Sequence, residues 1–156
     1  MTRLTAALLA AALLAGCGEK PAPRAVPESM PAYRSVIGNL VLPVPGQPGT
    51  FEVIAYAGNA AEHFRCSAGS YATRALGLLP NRRVYLAAPL GPSTTRPGRR
   101  AVTFTVLPDE TLRAAAEALP EDLSLAMTRP GESFLAGAGA FLCETITPIF
   151  WDLPGG

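Results

Sequence analysis

Thr50-Phe51-Glu52-Val53-Ile54-Ala55-Tyr56-Ala57 runs directly into Gly58-Asn59, and this junction fixes how the chain is read. Residues 50–57 are rich in β-branched and aromatic side chains, which suit a pleated, half-buried surface, so a strand is expected there. Asn59, with Glu62 three residues on, has the form of a helix start close to a capping box. The helix should run to Leu76 and stop at Gly77, the residue type that most readily takes the left-handed conformation just past a helix end. On a 3.6-residue wheel Phe64, Ala68, Tyr71 and Ala75 share one face, which should lie on a sheet, and Cys66 projects from nearly the opposite side. The expected class is α+β: a small antiparallel or mixed sheet with one main helix packed on it.

Upstream, residues 35–44 read as a strand interrupted at Gly38-Asn39, with a turn over residues 45–49. Downstream, residues 83–88 and 101–107 read as strands. In the second, Val102, Phe104 and Val106 alternate with Thr103 and Thr105, the period-two pattern of a half-buried strand. Residues 109–119 should be helical, capped by Asp109 and ended by Pro120. Residues 123–128 suggest a further strand, residues 134–144 a short helix carrying Cys143, and residues 146–153 close the chain with Phe150 and Trp151. No internal repeat is evident.

The chain has 156 residues, with 16 prolines and 15 glycines, a proportion that predicts short elements joined by many loops. It begins Met-Thr-Arg and continues with an uncharged stretch over residues 4–16. That stretch is too short to span a bilayer, which needs about 20 apolar residues in a helix. A basic start, a short apolar run and small residues before a cut site describe a secretory signal over residues 1–16.

Leu14-Ala15-Gly16-Cys17 resembles the lipobox of bacterial lipoproteins. The resemblance implies that Cys17 is acylated and becomes the N-terminus, anchoring the protein in a membrane. Gly18, rather than Asp, follows the cysteine, which by the same resemblance implies the periplasmic face of the outer membrane. Residues 17–32, with four prolines, then form an extended tether, roughly 45 Å long at a polyproline-like rise. Residues 33–156 form a single domain. The segment from Phe51 to Tyr71, with Gly91-Pro92-Ser93, is also similar to small exported bacterial proteins, a likeness that implies no activity.

With Cys17 acylated, Cys66 and Cys143 remain as an even pair in an oxidising compartment, and a disulfide is expected. Because Cys66 lies away from the sheet-facing side of its helix, that bond requires the C-terminal segment to cross the helix's outer side.

The candidate chemistry is sparse. His63 lies near Ser67 and Ser70 on one helix flank, a spacing that would let an imidazole activate a hydroxyl in an envelope hydrolase. No third member and no Gly-x-Ser-x-Gly turn accompany them, and a surface histidine is the simpler reading. Zinc-ligand spacings and phosphate-cradling glycine loops are absent, and neither metal nor cofactor is expected.

Charge is distributed unevenly. Removing Arg3 with the leader leaves 12 basic and 12 acidic side chains, a balance that gives no reason to expect nucleic-acid binding. Yet Arg65, Arg74, Arg82, Arg83, Arg96, Arg99 and Arg100 fall between His63 and Pro108 with no acid among them. Residues 109–156 hold eight acids against two arginines. Either the two regions neutralise each other, or the arginines form a face for an anionic envelope component or a protein partner, since their planar fork suits phosphate and carboxylate. Arg96, Arg99 and Arg100 lie in an apparent twelve-residue loop over residues 89–100, with Arg82 and Arg83 expected alongside if the strands neighbour one another. That loop could also insert into a secreted enzyme as an inhibitor does.

Overall fold

The computed structural model describes residues 25–120 and 126–146. Six strands form one antiparallel sheet: β1 (Tyr33–Arg34), β2 (Leu40–Pro43), β3 (Thr50–Ile54), β4 (Arg83–Pro92), β5 (Arg100–Thr105) and β6 (Ser133–Leu135), in the order β1-β2-β3-β5-β4-β6. The helices are α1 (Ala61–Ser70), α2 (Glu110–Ala118) and α3 (Ala136–Thr145). The architecture is α+β, with α1 as the main helix on the sheet.

Alternation sorts the strand side chains. Val41, Phe51, Val53, Val84, Leu86, Val102, Phe104 and Phe134 are buried toward α1, where they meet Phe64, Ala68, Tyr71, Ala72 and Leu76. Aromatic rings form the centre of this layer. Phe51 lies 4.7 Å from Tyr71 and 6.0 Å from Phe104, and Phe104 meets Phe134 edge-on at 6.0 Å. Each such pair adds about 0.5–1.5 kcal/mol beyond the area it removes from water. The expected sheet-facing stripe is therefore present, with Ala75 partly buried at its margin.

α1 starts one residue later than expected. Asn59 does not cap it; the Asn59 Oδ1 accepts from the Tyr56 amide instead. Ala60 is the cap residue, and its N–H is taken by His63 Nδ1 at 3.2 Å. His63 thus does what the side chain three residues past a cap does in a capping box, the role expected of Glu62. After Ser70 the helix widens into a π turn over Tyr71–Ala75, with Leu76 N–H bonding to Tyr71 O. The extra residue in that turn brings Leu76 round to the side of Tyr71, so both reach the sheet. Gly77 follows with φ +63°, as a helix stop requires.

The other face of α1 is buried as well. α3 lies across it, and the Cys66–Cys143 disulfide joins the two helices. The C-terminal segment therefore crosses the outer side of α1, as the placement of Cys66 demanded. At Gly69 the approach is close enough that a Cβ would meet the Ala140 backbone N and would lie 2.6 Å from Ala136 O.

Several boundaries differ from the sequence reading. Residues 35–44 are not one interrupted strand: the chain reverses at Gly38 (φ +90°) into the β1–β2 pair. β4 continues to Pro92 and β5 begins at Arg100, so much of the expected twelve-residue loop is strand. Register shifts between Leu86, Ala88 and Gly91 absorb Pro89 without ending the strand. α2 is capped by Asp109, which accepts from Leu112 N–H at 2.7 Å, as expected. The strand expected over residues 123–128 falls partly outside the described residues, and Ala126, Met127 and Thr128 are not in a strand. Residues 147–153 of the expected closing segment also lie outside them.

Replacing Gly69 with Ala should push α1 and α3 apart and lower stability by roughly 2 kcal/mol or more, since the colliding atoms are backbone. Urea unfolding under oxidising conditions measures this. Cys66→Ser should cost several kcal/mol in the same assay; the chain-entropy model gives roughly 4.5 for a loop of 77 residues.

Candidate functional site

Glu52 is the only acid in the six strands, and it is 1 % exposed. Phe51 and Val53 on either side point to α1, so Glu52 points to the opposite face of the sheet, opposite Thr103 of β5. The turn joining β4 and β5 folds back over that face and surrounds the carboxylate. Oε2 accepts from Ser93 Oγ and Thr95 Oγ1, both at 2.6 Å, and from Thr95 N–H at 3.0 Å. Oε1 accepts from Thr94 N–H at 2.8 Å and Thr94 Oγ1 at 2.9 Å. Burial alone would raise the carboxyl's pKa. The Ser93 and Thr95 hydroxyls and the Thr94 and Thr95 amides outweigh it and hold the pKa at about 2. Part of the segment that read as a twelve-residue contact loop is thus pinned by an internal anion.

The arginines divide into two groups. Arg96, Arg99 and Arg100 lie at the tip of the β4–β5 hairpin. Arg99 donates to Ala55 O and its guanidinium stacks over Tyr56 at 5.0 Å, and Arg100 donates to Leu90 O. Arg82 and Arg83 are at the other end of β4. Antiparallel pairing places Pro92 opposite Arg100 and Tyr85 opposite Thr105, so the two groups are roughly 25 Å apart along the hairpin. The expectation that Arg82 and Arg83 lie alongside the loop arginines is not met.

Arg82 and Arg83 instead converge with Arg113 of α2. These three, with Tyr85, Val106, Leu107 and Pro108, line an open groove of about 380 Å³. Arg82 donates to Val106 O, Arg83 to Ser133 Oγ, and Arg113 to Pro108 O through two nitrogens. These bonds are to neutral acceptors and orient the guanidiniums without neutralising them. Among the described residues the arginine–carboxylate ion pair is Arg129–Glu132 at 3.6 Å. Burial lowers the pKa of Arg65 and the charge of Glu132 offsets part of that, while Phe134 lies beneath the guanidinium at 5.0 Å. Among the described residues, Arg65 beside Glu132 is thus a place where the basic and acidic regions meet. Arg113 was missed in the sequence because it stands alone among acids, and only the hairpin brings Arg82 and Arg83 to it.

The histidine–serine arrangement does not form. His63 Nδ1 accepts the Ala60 amide, which leaves its other nitrogen as the protonated one in the neutral ring. Ser67 is fully buried and donates to Ser35 Oγ at 3.1 Å, and Ser70 shares a 2.8 Å bond with Tyr33. Both hydroxyls hold the N-terminal segment against α1 rather than facing an imidazole. Tyr71 adds to this by donating to Pro31 O at 2.9 Å, and burial pushes its pKa up to about 12, which keeps the proton on the donor. Val26 and Met30 pack against the core beside it. The part of the expected tether from residue 25 onward is thus fastened to the domain. Cys17 lies outside the described residues.

No protein-family model, curated protein or solved structure matches the chain.

Because the Glu52 carboxyl's pKa is lower folded than unfolded, its contribution is complete above about pH 5 and is lost as pH falls through 2, roughly 3 kcal/mol in all. Denaturant unfolding across that window measures it. Glu52→Gln should already be destabilised at pH 7 and should lose the part of the acid slope that Glu52 supplies.

Proposed function

We propose that the chain is a lipid-anchored protein of the bacterial envelope, held at Cys17, whose domain binds an anionic envelope component or protein partner. The observation that carries the binding part is the groove where Arg82, Arg83 and Arg113 converge with no acidic partner among the described residues. Three like charges brought together on one surface repel each other, and an anion that accepts from their forks relieves that cost.

Two features support the anchored, exported part. The sequence Leu14-Ala15-Gly16-Cys17 resembles a lipobox, and the Cys66–Cys143 bond suits an oxidising compartment. Gly18 after the cysteine favours the outer membrane over the inner. Among the described residues no helix is long and apolar enough to cross a membrane; acyl chains on Cys17 would themselves hold the protein at one.

Intact-mass measurement of protein from cells should find a chain beginning at acylated Cys17; an unmodified chain retaining residues 1–16 would refute the anchor. Crosslinked pull-down from intact cells should recover an anionic partner, and the Arg82→Ala, Arg83→Ala, Arg113→Ala triple variant should recover at least about ten-fold less of it, as the loss of a few charge-assisted bonds implies. Equal recovery would remove the groove from the account.

A further inference from the structure

Strand register ties the groove to the place where the chain enters the domain. Tyr33 pairs with Val41 and Val41 with Val53, so the residues before Tyr33 lie toward the Pro43 and Thr50 end of the sheet. Thr50 is opposite Thr105, and Thr105 is opposite Tyr85, which lines the groove. The entering segment and the groove therefore occupy the same end of the sheet, four strand spacings apart, or roughly 20 Å. The hairpin tip with Arg96, Arg99 and Arg100 is at the opposite end.

The entering segment is also short. Val26 and Met30 are packed against the core and Pro31 is held by Tyr71. From Cys17 to Ala25 the chain can reach at most roughly 28 Å even fully extended. An anchor at Cys17 therefore keeps the domain within roughly that distance of the membrane, and this end of the sheet is the nearer to the point of attachment.

The groove has the surface chemistry of a headgroup layer's complement. Arg82, Arg83 and Arg113 supply charge, and Leu107 (44 % exposed) lies among them. Leu135 (42 % exposed) is the cross-strand partner of Arg83 and extends the apolar part of the patch. Asp109 is engaged in capping α2, Glu110 is exposed in its first turn, and Glu117 lies one turn beyond Arg113 without an ion pair to it. None of these forms an ion pair with the three arginines.

We propose that the Arg82–Arg83–Arg113 groove docks onto the phosphate headgroups of anionic lipid in the same membrane that holds the anchor. This rests on the anchored reading above and names its partner. Basic residues near an anionic surface contribute about 1 kcal/mol each, so the three together should strengthen vesicle binding on the order of 100-fold.

The test uses the mature chain with Cys17→Ser, which removes the acyl chains, in flotation with vesicles of phosphatidylethanolamine with or without phosphatidylglycerol. The chain should float only with phosphatidylglycerol and release as salt is raised. The Arg82→Ala, Arg83→Ala, Arg113→Ala variant should lose flotation while keeping its melting temperature, and Arg96→Ala, Arg99→Ala, Arg100→Ala should float like the parent. As a second measure, Leu135→Glu should weaken flotation while the arginines stay intact.

Equal flotation with both vesicles, loss only in the tip variant, or binding of inorganic phosphate without vesicle binding would overturn the proposal. If Cys17 is acylated in cells and vesicles are ignored, this inference alone falls. If vesicles bind but Cys17 is unmodified, the anchored reading falls, docking onto the anchor's own membrane falls with it, and only the groove's affinity for anionic lipid stands.

Discussion

The rest of the structure depends on α1 being held on two sides. Its inner face meets the aromatic layer of the sheet, and its outer face meets α3 closely enough that Gly69 has no room for a Cβ. Cys66, on the outer face, ties that contact covalently to Cys143. A helix buried on both faces needs no strongly polar side, and this accounts for the small residues and serines between Cys66 and Ser70. The same serines receive the N-terminal segment: Ser67 with Ser35, and Ser70 with Tyr33. One helix thus positions the sheet, the C-terminal helix and the point of chain entry.

Electrostatics on the far face follow a different rule. A carboxylate buried in a sheet would ordinarily need a cation or several donors, because an unpaired charge in low dielectric is costly. Glu52 takes the second route, with hydroxyls and amides from Ser93, Thr94 and Thr95. No arginine is used there. The internal acid is satisfied by neutral groups, and the arginines of the hairpin remain at the surface. The device that closes the hairpin turn thus draws on hydroxyls and amides and uses no arginine.

Much of the architecture was legible because it rests on periodicity. The strand at Thr50, the sheet-facing stripe of Phe64, Ala68 and Tyr71, the stop at Gly77 and the cap at Asp109 all follow from local pattern. The disulfide and the crossing it demands followed from cysteine parity and one helical wheel. Where the reading missed, a side chain had a competing local option. Asn59 bonds back to Tyr56 and leaves the cap to His63, a substitution that spacing alone does not distinguish. Pro89 and Gly91 looked like loop because those residues rarely continue a strand, yet bulges carry β4 past them. The Glu52 cradle joins residues about 40 apart, and only a charge placed in an otherwise apolar strand hinted that it needed one. The groove was the least legible feature, since Arg113 reaches Arg82 and Arg83 through the fold and not through sequence proximity.

Those same bulges bear on how the molecule behaves beside its own copies. β6 covers β4 only from Arg83 to Tyr85, with the backbone of Glu132 and Gly131 extending the contact to Leu86. Beyond that point no strand of the described residues lies along the outer margin of β4. Pro89 and Pro92 offer no N–H there, and the irregular register bends the margin away from a flat template. Intermolecular strand addition, the usual hazard of an open sheet margin, is thereby discouraged at the longest strand of the protein. Copies that meet along this margin should consequently stay separate molecules rather than joining into a continuous sheet.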